Sequence, residues 1–164
     1  MTPPLPDPSE AGVSKILFQE DHLTAILESR THEADRMVVY QGLNAHNELH
    51  GGNDGAAHCN VIVRDESGTV IAGLLGVTYW GWLAINTMWV DESVRGRGLG
   101  ERMVRAAEAE AIRRGCHGVH VDTMSFQAPG FYEKLGYVEF GRIEDIPLGQ
   151  SRIFMKKRLS AMGG

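Results

Sequence analysis

Apolar positions in this chain recur with two periods, and the places where the period changes mark out its elements. Residues 14–19 and 23–28 are short apolar runs of strand length, although the second suits the start of a helix equally well. From Thr31 the spacing lengthens. Thr31 is an N-cap candidate, Glu33 and Asp35 fall in a first turn, and Met37, Val38, Leu43 and Leu49 supply apolar positions. This spacing predicts a helix over 32–49. An interruption is expected near Gly42-Leu43-Asn44, because glycine in a helix interior costs about 1 kcal/mol relative to alanine. Residues 51–55, rich in glycine and asparagine, read as a loop.

Strand-like patterning follows. Residues 60–64 lead into the turn Asp65-Glu66-Ser67-Gly68, and 70–79 return, which is a hairpin signal. Gly81 separates that hairpin from an apolar run over 82–90, giving a meander of three strands. After a glycine-rich turn, Met103, Val104, Ala107, Ala111 and Ile112 recur at helical spacing, and Gly115 is placed to end the helix. A central strand is expected at 118–124, a short helix at 129–135 between Pro129 and Gly136, a strand at 137–140 and a last strand at 152–159. Strands outnumber helices in mixed order. The expected fold class is α/β (α+β): one mixed, mostly antiparallel central sheet of six to seven strands, flanked by helices.

Length and composition narrow the function classes. A chain of 164 residues suits one domain, expected over 13–160 after a proline-rich tail at 1–12. No apolar stretch reaches the length of a membrane span, and the first residues lack the basic and apolar regions of a signal peptide, so no membrane partner is expected. A net charge of −5 argues against a nucleic-acid partner. Cys59 and Cys116 are too few for a disulfide framework and read as core thiols, which makes the cytoplasm the default location. His46 and His50 share a helical face, but Glu48 is one residue late for the metalloprotease spacing and no third ligand is evident; no metal is expected. Lys156, Lys157 and Arg158 read as a solvated strand edge.

The stretch that carries chemistry is Arg95-Gly96-Arg97-Gly98-Leu99-Gly100, set between the strand over 82–90 and the helix that follows. Glycines at 96, 98 and 100 let a ligand approach the main chain closely, and a helix opening from them aims backbone N–H groups at one point. Arg95 and Arg97 add charge suited to phosphate oxygens. A P-loop would require Lys-Ser or Lys-Thr after the last glycine, where Glu101-Arg102 stands. The dinucleotide-binding turn would place its third glycine at Glu101.

The order that does fit is Arg or Gln, then two residues, Gly, one residue, and Gly or Ala. This resembles the pyrophosphate loop of the GCN5-related N-acetyltransferase (GNAT) superfamily. A second match lies downstream, in Tyr132-Glu133-Lys134-Leu135-Gly136-Tyr137, at the separation the superfamily shows. The resemblance covers about residues 58–159 and is looser over the first third.

It implies transfer of an acetyl group from acetyl-CoA to a primary amine by direct attack in a ternary complex. The cofactor-binding residues implied are the backbone of Met88, Trp89 and Val90 toward the pantetheine arm, and Arg95, Gly96, Arg97, Gly98, Leu99 and Gly100 toward the pyrophosphate. Tyr132 is implied as the group that protonates or hydrogen-bonds the leaving thiolate. An alkylammonium, of pKa about 10.4, must lose a proton before it attacks. Many relatives carry a glutamate for this on the strand that here holds Asn86 and Thr87; Glu92, His120 and Asp122 remain as candidates. Where relatives place asparagine seven residues before the tyrosine, Ser125 stands, so that pantetheine contact falls to Ser125 or Gln127 or is lost. The acceptor is open between a small amine and a peptide, and a homodimer is left open. The rival reading is a non-catalytic acyl-CoA-binding regulatory domain, favoured by the missing strand glutamate and opposed by Tyr132.

Overall fold

The computed structural model describes residues 14–160, and the tail expected at 1–12 lies outside them. The chain divides into two units between Asn53 and Asp54. In the first, β1 (Ser14–Glu20) and β2 (Leu23–Glu28) form an antiparallel hairpin. Its turn residues, Asp21 and His22, both take positive φ. A helix, α1 (Glu33–Gly51), follows with His32 rather than Thr31 at its N-cap. It runs through Gly42 without a break. The expected interruption does not occur, because a single glycine penalty is small beside the many good helix formers around it. Among the described residues nothing outside the helix backbone lies within 4 Å of where a Gly42 side chain would begin.

The second unit is built on a seven-stranded sheet. Its strands are β3 (Ala57–His58), β4 (Val61–Arg64), β5 (Val70–Tyr79), β6 (Trp82–Val90), β7 (Gly118–Met124), β8 (Val138–Glu144) and β9 (Ser151–Arg158). The order is β3-β5-β6-β7-β9-β8, with β4 also paired to β5. β3 and β4 meet successive stretches of β5, so together they act as one interrupted edge strand. The two-residue β3 has no counterpart in the sequence reading. β4, β5 and β6 form the predicted meander, with Asp65 tying its turn by accepting from the N–H groups of Ser67 and Thr69.

β6 and β7 run parallel, whereas the other neighbours are antiparallel. Parallel neighbours need a crossover, and the glycine turn with α2 (Leu99–Arg113) supplies it. The helical spacing seen in the sequence places Met103, Val104, Ala107 and Ala111 in the core, packed with Leu74, Leu83, Ile85, Val119 and Val121, all buried. Burying a side chain of Leu or Val size stabilises the fold by about 1.5–3 kcal/mol. α3 (Pro129–Lys134) leads into β8 and contributes Tyr132 to the same core.

One irregularity in the sheet lies where the central strands part. On β5 and β6, Leu75 pairs with Thr87 and Gly76 with Ile85, so Asn86 is an extra residue, a β-bulge. Opposite it, a side chain on Gly76 would start 2.7 Å from the Ala84 carbonyl oxygen, so only glycine fits. The β6–β7 ladder covers Trp82–Ile85 against Gly118–Val121 and ends at the bulge, while β7 stays paired with β9 as far as Met124.

Candidate active site

Past Ile85 and Val121 the two central strands part, and a cavity of about 700 Å³ opens between them. One wall is β6, from Ile85 to Val90. The other is β7 from Val121 to Met124 with Phe126, Gln127 and Ala128, and Tyr132 and Arg152 complete the lining. The backbone of Asn86–Val90 has no ladder partner on the β7 side, so its edge is available to a ligand. Side chains on β7 alternate: Val119, Val121 and Thr123 are buried with α2 and α3, whereas His120, Asp122 and Met124 project to the opposite face of the sheet. The cavity is therefore reached from both faces.

Tyr132 is 5% exposed and lies edge-on to both Phe131 and Tyr137. Burial, with a smaller contribution from the Asp122 charge, pushes its phenol up to about 12. The hydroxyl is consequently protonated at any physiological pH, and it can donate a hydrogen bond but cannot act as a base near neutrality. Asp122 accepts from Arg152 Nε at 2.7 Å.

A second hollow of about 300 Å³ lies at the start of α2, lined by Val94, Arg95, Gly96, Gly98, Leu99, Gly100, Glu101 and Phe131 with Val90. Gly96 and Gly98 take φ of 75° and 74°, the left-handed region that favours glycine. Among the described residues, no atom beyond the adjacent chain positions lies within 4 Å of where either side chain would begin, so the close approach these glycines permit is toward solvent, or a ligand. The first N–H groups of α2 have no partner within the helix and are the donors of an anion site. Val90 and Arg95 line both hollows. Arg95 is fixed there by donating from Nε to the Val90 carbonyl at 3.0 Å.

Of the residues singled out in sequence, Met88, Trp89, Val90, Arg95, Asp122 and Tyr132 line the large cavity, and Arg95, Gly96, Gly98, Leu99 and Gly100 line the hollow. Arg97 lines neither. Glu92 sits exposed in a 3-10 turn, Glu92–Val94, capped by Asp91, and does not line the cavity. His120 does not line it either. Its ring meets Tyr79 Oη at 3.0 Å, and burial lowers its pKa. Ser125 is engaged with the last strand, donating to Gln150 at 2.7 Å and accepting from the Ser151 N–H at 3.0 Å. Gln127 does line the cavity, its oxygen held by Thr123 and by the Met124 N–H.

Arg152 and Phe126 escaped the sequence reading. No local signal marks Arg152, which reaches the cavity only because β9 pairs with β7. The bulge did leave a trace: a glycine inside a strand, Gly76, commonly marks one. The two motifs also lie close together, since a side chain on Gly100 would begin 3.3 Å from the ring of Phe131, the residue before Tyr132.

Comparison with known proteins gives one consistent result. The family model described as "Acetyltransferase (GNAT) family" matches residues 19–137. An acetyltransferase of Agrobacterium fabrum is 34% identical over 126 residues, which cover 77% of this chain and 91% of that protein. The blasticidin-S acetyltransferase of Streptomyces morookaense is 43% identical over 95 residues, covering 57% and 70%. Among solved structures, an acetyltransferase from Agrobacterium tumefaciens superposes with a TM-score of 0.79 at 30% identity, over 83% of this chain and 99% of that one.

Proposed function

Because the chain belongs to the GNAT family of acetyltransferases, we propose that it transfers the acetyl group of acetyl-CoA to a primary amine by direct attack within the cavity between β6 and β7. The observation that carries this reading is the joining of that cavity to the helix-capped hollow through Val90 and Arg95. A long ligand with an anionic middle suits a groove of this form. The open space beside Gly96 and Gly98 accommodates a pyrophosphate against the α2 N–H groups.

Acetyl-CoA supplies the acyl group as a thioester; the amine nitrogen forms the new C–N bond as the C–S bond breaks. The chain's own residues do the rest. The unpaired edge of Met88, Trp89 and Val90 meets the pantetheine amides in the manner of an added strand. Gln127 offers its amide nitrogen to that arm, because the Ser125 hydroxyl is engaged with Gln150. Tyr132, protonated throughout the working range, donates to the leaving sulfur. Asp122 receives the ammonium group from the opposite face of the sheet and takes its proton toward solvent. No covalent enzyme intermediate is involved: Cys59 and Cys116 are buried, their thiols are pushed up by burial, and neither lines the cavity.

The acceptor class favoured in this reading is a small-molecule amine, supported by one relative that is named for acetylation of blasticidin S. The two buried thiols fit a reducing compartment, and the reading places the enzyme in the cytoplasm. Among the described residues no helix is long and apolar enough to cross a membrane.

Release of free CoA with a panel of amines tests the proposal. Wild type is expected to release thiol in an amine-dependent way. Tyr132→Phe is expected to lower kcat by roughly a hundredfold while leaving acetyl-CoA affinity within a few-fold. Binding of acetyl-CoA without amine-dependent release would favour the non-catalytic reading instead.

A further inference from the structure

The charge lining the large cavity runs against the charge of the chain. The protein carries a net −5, yet the charged residues lining the cavity are Arg95, Asp122 and Arg152. We propose that the acceptor amine carries a second, anionic group, a carboxylate or a phosphate, and that Arg152 binds it. This inference rests on the acetyl-transfer reading above.

Arg95 stands between the two hollows, where the pyrophosphate reading gives it a counter-charge. That leaves Asp122 and Arg152 for the acceptor. Both are on the sheet face opposite α2 and α3: Asp122 alternates with buried Val121 and Thr123, and Arg152 lies between buried Ser151 and Ile153. Their side chains are 37% and 42% exposed. Arg152 is fixed on two sides. Its Nε donates to Asp122 Oδ2 at 2.7 Å, and its guanidinium lies 5.6 Å from the centre of the Phe154 ring. Among the described residues its guanidinium makes no other hydrogen bond, so both Nη nitrogens remain as donors in the plane that matches a carboxylate or phosphate.

An acceptor with an ammonium group alone has to share Asp122 with a guanidinium that gains nothing in exchange. An acceptor bearing an anion as well completes both halves, ammonium on Asp122 and anion on Arg152, and the four charges alternate in sign. Such an arrangement also favours turnover. Acetylation turns the ammonium into a neutral amide, so the product loses its ion pair with Asp122 and keeps only the charged half of the site that Arg152 provides.

The test compares amines matched except for the anion: β-alanine against n-propylamine, and aminoethyl phosphate against ethanolamine, at equal concentrations of free amine, read as thiol release from acetyl-CoA. The anionic member is expected to have the higher kcat/KM, by about tenfold to a hundredfold for a charge-assisted contact, and mainly through KM. In Arg152→Gln the ratio within each pair falls toward one, Arg152→Lys keeps part of it, and added salt narrows it in wild type. Acetyl-CoA affinity and melting temperature report whether each variant is folded; if the glutamine variant is not, the lysine variant carries the comparison. Neutral amines turned over as well as their anionic partners, or a ratio unchanged by substitution of Arg152, would overturn the proposal. No thiol release with any amine, from enzyme that binds acetyl-CoA, would instead take down the transfer reading and this one with it.

Discussion

Lys157 on β9 places its ammonium nitrogen 2.8 and 3.0 Å from the two carboxylate oxygens of Glu108 on α2, and the Tyr137 hydroxyl donates to the same carboxylate at 2.9 Å. Glu108 is 7% exposed and sits among the core residues of α2. Helix α2, strand β9 and the turn before β8 thus meet at one buried charge. Removing one partner of a buried pair leaves the other uncompensated. Lys157→Met is expected to destabilise the fold by about 2–3 kcal/mol, at the low end for such pairs because the lysine is partly solvated. Tyr137→Phe should cost about 1 kcal/mol. Urea denaturation measures both, and acetyl-CoA affinity should change little because none of the three residues lines the cavity.

Stability should fall in alkali through Tyr132. Its phenol ionises near 12 in the folded protein, against 10.0 for an unperturbed tyrosine. Between those values the folded chain binds more protons than the unfolded one, so ∂ΔG/∂pH is negative. The stabilisation is present in full below about pH 10 and is lost as pH rises toward 12; two units correspond to about 3 kcal/mol. Burial and the Glu108 charge raise Tyr137 as well and steepen the loss. Denaturation midpoints followed from pH 9 upward should decline less steeply in Tyr132→Phe than in wild type (on the scale of tyrosine titration).

Gly98 separates strain from charge. Among the described residues a side chain there would begin more than 4 Å from any atom beyond its chain neighbours, but its φ of 74° disfavours most residues. Asparagine tolerates that conformation better than other side chains. Gly98→Asn is therefore expected to retain stability within about 1 kcal/mol. Gly98→Asp adds a carboxylate at the anion hollow and should raise the acetyl-CoA dissociation constant at least about tenfold over the asparagine variant. Calorimetric titration of the two variants side by side decides it, and equal affinities would remove the pyrophosphate from this hollow.

Gly76 pairs with β6 beside the bulge at Asn86, which lines the cavity. Alanine there would begin 2.7 Å from the Ala84 carbonyl oxygen and 3.2 Å from that of Cys59, both backbone atoms. Gly76→Ala is expected to destabilise the fold by about 1–3 kcal/mol, as overpacking does. It should also weaken acetyl-CoA binding, because relief of the clash shifts the bulge at Asn86. A variant that loses stability but binds acetyl-CoA normally would show that the bulge does not set the cavity's shape.

Much of this fold was legible because it is local. The hairpin turn at Asp65, the spacing of Met103, Val104, Ala107 and Ala111, and the Pro129 start of α3 are each encoded within a few residues, and each appears where expected. What escaped is non-local. Asn86 looks like any polar residue within a strand until Gly76, ten positions away, is paired with its neighbour Ile85 and leaves it as the extra residue. Arg152 acquires its place only through the register that sets it against Met124. Ser125 offered a free hydroxyl in sequence, yet the fold brings Gln150 within 2.7 Å of it. The continuous α1 shows the opposite error, a local penalty at Gly42 given more weight than its neighbours allow.

The narrow space between Gly100 and the Phe131 ring changes how the two motifs should be inherited. They stand about thirty residues apart, yet the last position of one rests on the residue before the tyrosine of the other. A methyl group at 100 calls for a shift of a few tenths of an ångström in the ring, and anything larger displaces the helix that carries Tyr132. Variation at 100 and at 131 should therefore be correlated across descendants of this sequence, the larger residue at one accompanying the smaller at the other. Chimeras that join the turn of one homologue to the tyrosine helix of another should fail when that size rule is broken, even with every ligand-facing residue preserved.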